Sequence, residues 1–184
     1  MIITKLTGGL GNQLFQYAYG RACAIKNKTS LKLDISWYKG RMDRSYMLEH
    51  FDIKANIATS TDIFVTKIFS RKDYLVGDWQ SEKYFKEFEN IIRKEITPKY
   101  QLSEDNKIII QDITAKNSVS IHLRGTDYVT GKKSDFHGVC SEEYYNKAIT
   151  KIKETVPSPY FFIFTDDIEW AKNHIKLPEP YTIV

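Results

Sequence analysis

The sequence predicts an α/β protein of two facing Rossmann-like domains with a cleft between them, the second domain incomplete. Three observations carry this expectation. The apolar run Ile2 to Leu6 leads into a glycine-rich turn and a helical pattern. A second apolar alternation, Val119, Ile121 and Leu123, opens another strand-helix series, and a polar stretch containing Pro98 separates the two. Strand-helix-strand units build parallel sheets, whose ligands sit beyond the carboxyl ends of the strands.

The first strand is expected over 2–6, followed by a helix whose inward side is Leu14, Tyr17, Ala18, Ala22 and Ile25, three or four residues apart. Leu31, Leu33 and Ile35 alternate as a second strand. From Trp37 to Phe51 the sequence is irregular, and helices are expected over 60–70 and 81–94, the latter turning Phe85, Phe88 and Ile92 inward. Proline disfavours helix at the residue before it, so a boundary is expected near Thr97-Pro98, followed by polar chain to Asn117; the domains are taken as 1–110 and 111–184. A strand at 118–123, a loop over 124–140 and a helix from Ser141 to Thr155 come next, with Ser141 as N-cap and Tyr145, Ile149 and Ile152 on one side. Pro157 and Pro159 stop that helix. A strand at 160–164, a short helix from Asp167 to His174 and a strand at 181–184 close the chain. An ending on an edge strand is read as a second domain cut short, exposed to pairing with another chain and hence to homo-oligomer formation.

Composition narrows the function classes. With 184 residues, 42% apolar and 14% aromatic, the chain can bury a real core. A net charge of +4 suits a phosphate-bearing small molecule and is too weak to argue for nucleic acid. No apolar run approaches the roughly 18 residues of a membrane span. Met1-Ile2-Ile3 reads as strand rather than signal peptide. Cys23 and Cys140 belong to no metal-ligand spacing, and a reduced, cytoplasmic setting is expected.

Three segments carry polar residues suited to chemistry. In GGLGNQ, the glycines Gly8, Gly9 and Gly11 allow a tight turn that exposes N–H groups at a helix start, where anions bind; Asn12 can donate to a phosphate or sugar oxygen, or serve only as an N-cap. In HLRGTDY, His122 and Arg124 stand at a strand's carboxyl end, and Asp127 can orient the arginine or form a surface ion pair with it. In FFIFTDD, the neighbouring carboxylates Asp166 and Asp167 open a helix; adjacent side chains there point in different directions, which disfavours a shared metal and leaves N-capping or donor recognition. Asp135 and His137, on the loop after Arg124, are candidates to take a proton from an acceptor hydroxyl.

Together GGLGNQLFQYA, HLRGTDY and FFIFTDD resemble glycosyltransferase family 11, the α-1,2-fucosyltransferases, over essentially the whole chain. The resemblance implies a GT-B-like architecture and an inverting transfer of L-fucose from GDP-β-L-fucose to the 2-hydroxyl of a galactose-terminated glycan. It implies no metal and no cofactor beyond the GDP-fucose donor. Arg124 would bind the β-phosphate, His122 would lie near the guanine or phosphate, and Asp127 would orient Arg124. Gly9, Gly11 and Asn12 would lie beside the donor, Gln13 would support that loop, and Asp167 would accept from guanine. This chain has Arg124-Gly125-Thr126 where many members have two arginines. A lipid-linked acceptor would bring the enzyme to the inner face of a membrane. The family continues beyond the length seen here, so weak donor binding and little activity are expected of the 184 residues alone. Another GDP-sugar transferase, and a donor-binding fragment without catalysis, stay open as alternatives.

Overall fold

A computed structural model describes residues 1–123 and 140–184 of the chain. They divide into two units, Met1–Gln101 and Leu102–Val184.

The first unit is built on a parallel sheet of four strands: β1 (Ile2–Lys5), β2 (Leu31–Asp34), β3 (Asn56–Ile57) and β4 (Tyr74–Leu75), in the order β3-β2-β1-β4. Ile3 and Thr4 of the inner strand β1 pair with Lys32 and Leu33 on one side and with Tyr74 and Leu75 on the other. Such a strand is buried on both faces, and Ile2, Ile3, Thr4 and Leu6 are all buried. Helix α1 (Leu10–Lys26) follows, and helix α2 (Ser60–Phe69) begins with a capping box in which Thr59 and Asp62 exchange backbone and side-chain bonds. The expected helix at 81–94 is two short 3-10 turns and then α3 (Glu89–Glu95). Two faces of α1 are covered. Tyr17 and Ala24 join Ile2, Leu6, Leu31 and Leu33 in the main core, while Ala18 and Ala22 meet Ile92, Phe85 and Phe88. Gly20 makes the close approach to the sheet possible, since a Cβ there would lie 2.0 Å from Thr4 Oγ1.

The second unit holds α4 (Glu104–Thr114), then a parallel sheet β5-β6-β7 of Ser118–Leu123, Tyr160–Thr165 and Tyr181–Ile183, with α5 (Glu142–Thr155) and α6 (Ile168–His174). Helix α4 stands in the stretch that was expected only as polar chain. Ser103 caps it by accepting from the Asn106 N–H, and Glu104 and Asp105 in the first turn suit the helix dipole. Leu123, Phe161, Ile163, Ala171 and Ile175 form this unit's core, with Tyr145, Ile149 and Ile152 of α5 laid against it as the sequence implied. Ser141 caps α5 through the Tyr144 N–H.

Candidate functional site

The β1-to-α1 turn shows how the glycine-rich segment is used. Gly8 has φ +77°, a left-handed conformation that favours glycine, and a Cβ there would lie 2.5 Å from Asn12 Nδ2. Gly9 is the extended N-cap of α1, so it supplies no side-chain cap, and the first turn carries no acidic residue. Asn12 therefore lies three residues past the cap rather than on it. The outcome is a helix start whose N–H groups and partial positive charge meet no capping oxygen from Gly9. Arg44 stands beside it, with Nε 3.9 Å from where a Gly9 Cβ would be.

Buried amides hold this turn in shape. Tyr38 donates to the Gly8 carbonyl at 3.2 Å, and burial pushes the Tyr38 hydroxyl up to about 12. Gln13 is fully buried; its Nε2 donates to the Ser45 carbonyl at 2.9 Å, and its Oε1 accepts from the Met47 N–H at 2.9 Å. Gln16, also buried, accepts from the Thr7 N–H at 2.9 Å and donates to Thr7 Oγ1 at 3.0 Å. Further along α1, Tyr17 donates to Glu95 at 2.5 Å and accepts from the Lys54 N–H, and Arg21 grips the same carboxylate through Nε and a second guanidinium nitrogen. Burial and the Glu95 bond both push the Tyr17 hydroxyl up. Asn12 is tied less deeply, its Oδ1 accepting from Gln80 at 2.9 Å. Next to Gln80, Trp79 stacks on Tyr19 with ring centroids 4.5 Å apart and holds φ +45°, unusual for a bulky residue. Arg44, Gln16, Trp79 and Gln80 escaped sequence reasoning. Arg44 belonged to a stretch without periodicity, and a buried glutamine on a helix looks in sequence like a surface one.

In the second unit, His122 and Asp167 lie at the carboxyl ends of neighbouring parallel strands. His122 is exposed on β5 opposite Phe164, and its carbonyl accepts from the Tyr145 hydroxyl at 3.4 Å. Asp167 caps α6 by accepting from the Trp170 N–H at 2.9 Å, and Thr165 Oγ1 bonds both its N–H and its carbonyl at 3.1 Å. Arg124, Asp127, Asp135 and His137 lie outside the described residues. Gly9, Gly11, Asn12 and Gln13 are thus gathered in one unit, and His122 and Asp167 in the other. Among the described residues, no group of three or more His, Cys, Asp and Glu is placed to hold a metal ion, and no helix is long and apolar enough to cross a membrane.

Parallel sheets with polar groups at their carboxyl ends, and a helix start without a side-chain cap, suit the binding of an anionic ligand. The fold is similar to that of a solved protein. The crystal structure of NodZ α-1,6-fucosyltransferase soaked with GDP-fucose is similar with TM-score 0.55, at 16% identity, over 100% of this chain and 76% of that one. The chain belongs to glycosyltransferase family 11, whose sequence pattern, Glycosyl transferase family 11, matches residues 28–181. An alpha-1,2-colitosyltransferase of Escherichia coli is 32% identical over 95% of this chain and 71% of its own length. The O-antigen biosynthesis glycosyltransferase WbnK of Escherichia coli is 28% identical, over 97% and 77%. A galactoside 2-alpha-L-fucosyltransferase of Mus musculus is 23% identical, over 95% and 52%.

Proposed function

We propose that the protein is an inverting transferase that moves L-fucose from GDP-β-L-fucose to the 2-hydroxyl of a galactose-terminated glycan, forming an α-1,2 linkage. Family membership carries this reading, because two of the named relatives form linkages of that kind. Breaking the bond from the anomeric carbon to GDP leaves growing negative charge on the β-phosphate. The enzyme must stabilise that charge more in the transition state than in the ground state. Arg124 supplies a planar fork of donors for the phosphate oxygens, and the start of α1, with Gly9, Gly11 and Asn12, offers its N–H groups to donor or sugar oxygens. Gln13 contributes by fixing the path of residues 45–47. His122 lies near the phosphate or guanine, with Asp127 orienting Arg124. Asp167 accepts from guanine with the oxygen not used by the helix cap, and Asp135 or His137 receives the acceptor proton. No metal is required, and the reaction takes place in the cytoplasm.

The colitosyltransferase relative favours a second reading, in which the donor sugar is colitose and the linkage the same. Transfer assays with GDP-fucose and with the colitosyl donor, followed by linkage analysis of the product, separate the two. Arg124→Lys should lower the rate about 10² to 10³ with a smaller loss of GDP affinity. Asp167→Asn keeps an N-cap residue and should weaken GDP far more than ADP. GDP binding that needs added Mn²⁺, or an Arg124→Lys enzyme of near-normal rate, would overturn the assignments.

A further inference from the structure

Helix α2 turns its apolar side outward. Phe64 and Phe69 are 65% and 79% exposed, and Val65 and Ile68 are exposed beside them. At about 100° per residue these four positions cover an arc of roughly 140°. Thr66 on the opposite side is buried. Cations border the stripe: Lys67 flanks it on the helix, and Arg71 and Lys72 follow immediately, all exposed. Lys67 and Arg71 line a cleft of about 530 Å³ together with Tyr74 and Val76, itself exposed. Of the two acids between Ser60 and Val76, Asp62 is occupied by Lys32 at 2.8 Å and by Thr59, and Asp73 is half-buried.

We propose that this face is a docking surface for an anionic phospholipid bilayer, with Phe64, Val65, Ile68 and Phe69 entering the acyl boundary and Lys67, Arg71 and Lys72 meeting the phosphates. An apolar stripe with aromatic residues, edged by cations, is the pattern of helices that lie in the membrane interface. A second copy of the chain fits the same face poorly. A two-fold contact sets each patch against itself, bringing Lys67, Arg71 and Lys72 toward their own equivalents with no free acid on the helix to offset them. The face lies on the sheet unit that carries the α1 turn, so docking would hold that unit at the bilayer. The inference does not depend on the donor assignment, since vesicle binding requires no sugar nucleotide.

Flotation of the chain with vesicles of phosphatidylcholine, alone or with about one third phosphatidylglycerol, tests it at low and high salt. Binding is expected only to the anionic vesicles and should fade with salt, because each cation near such a surface is worth about fivefold in partition. Phe64→Ser with Phe69→Ser, and separately Arg71→Glu with Lys72→Glu, should each reduce binding at least about tenfold while circular dichroism stays unchanged. Ile108→Ser, at an exposed apolar position on α4, should leave it unaltered. Absence of flotation overturns the proposal, as does flotation indifferent to both pairs of substitutions. A concentration-dependent dimer abolished by Phe69→Ser would give the face to a second copy instead.

Discussion

Gly8→Ala and Gly11→Ala separate two uses of glycine in one short motif. At Gly8 an alanine must hold φ +77°, at a cost of about 1–2 kcal/mol. Its Cβ would also lie 2.5 Å from Asn12 Nδ2, so the amide must swing away and forfeit the 2.9 Å bond from Gln80, an exposed bond worth about 0.5–1 kcal/mol. The sum is roughly 1.5–3 kcal/mol. Asn12→Ala alone should cost only the smaller part, and adding it to Gly8→Ala should cost little more, because the Gln80 bond is already forfeited there and the backbone cost remains. Gly11 meets nothing within 4 Å and lies inside α1, so alanine there should be neutral or stabilising by up to about 1 kcal/mol. Its methyl nevertheless intrudes where the proposed donor approaches the helix start, and GDP affinity should fall while stability does not. Urea unfolding, with amide exchange of β1 as a probe local to this unit, measures the first effect, and GDP titration the second. A Gly8→Ala cost under about 1 kcal/mol, or a Gly11→Ala variant as unstable as Gly8→Ala, would refute the reasoning.

Gly20→Ala should destabilise the first unit by about 2 kcal/mol, an overpacking cost of roughly 3 less the helix gain of about 1. Thr4→Ala should relieve part of it at little cost of its own, since Thr4 Oγ1 is buried without a hydrogen-bond partner among the described residues; a double-mutant cycle by urea unfolding reads the coupling. Glu95→Gln should cost about 3 kcal/mol in the same measurement, the low end of the range for a broken buried pair because Arg21 keeps 21% exposure. The Lys32 ammonium, ahead of the Thr59 N–H and hydroxyl, holds Asp62 down at about 2, against 3.8 ordinarily. Its stabilisation is therefore complete above pH 3.8 and lost as pH falls toward 2, so Asp62→Asn should flatten the acid limb of α2 exchange over that window; an unchanged limb would count against the capping box.

How far the sequence could be read follows from periodicity and its limits. The strands Ile2–Lys5, Leu31–Asp34, Ser118–Leu123 and Tyr160–Thr165 were legible because apolar residues alternate or run together. Asn56–Ile57 and Tyr74–Leu75 are too short to show any period, and they are strands only because β2 and β1 offer them a ladder. Helix α4 was hidden because Ile108 and Ile110 are exposed, leaving Ile109 and Ile113 as a thin inward stripe. The glycine turn was legible as a turn. Its supports were not, because Gln13 and Gln16 are buried by partners 34 and 9 residues away in sequence, and no local pattern announces such contacts.

The way Gln13 holds the chain at 45–47 has a consequence for variation. It grips a carbonyl and an N–H, groups that every residue except proline supplies alike. Substitutions at Ser45 or Met47 can therefore change what the loop displays without changing the track it follows. One buried amide on the helix thus leaves the facing segment free to be rewritten by selection, so that new surface chemistry can arise on an unaltered frame.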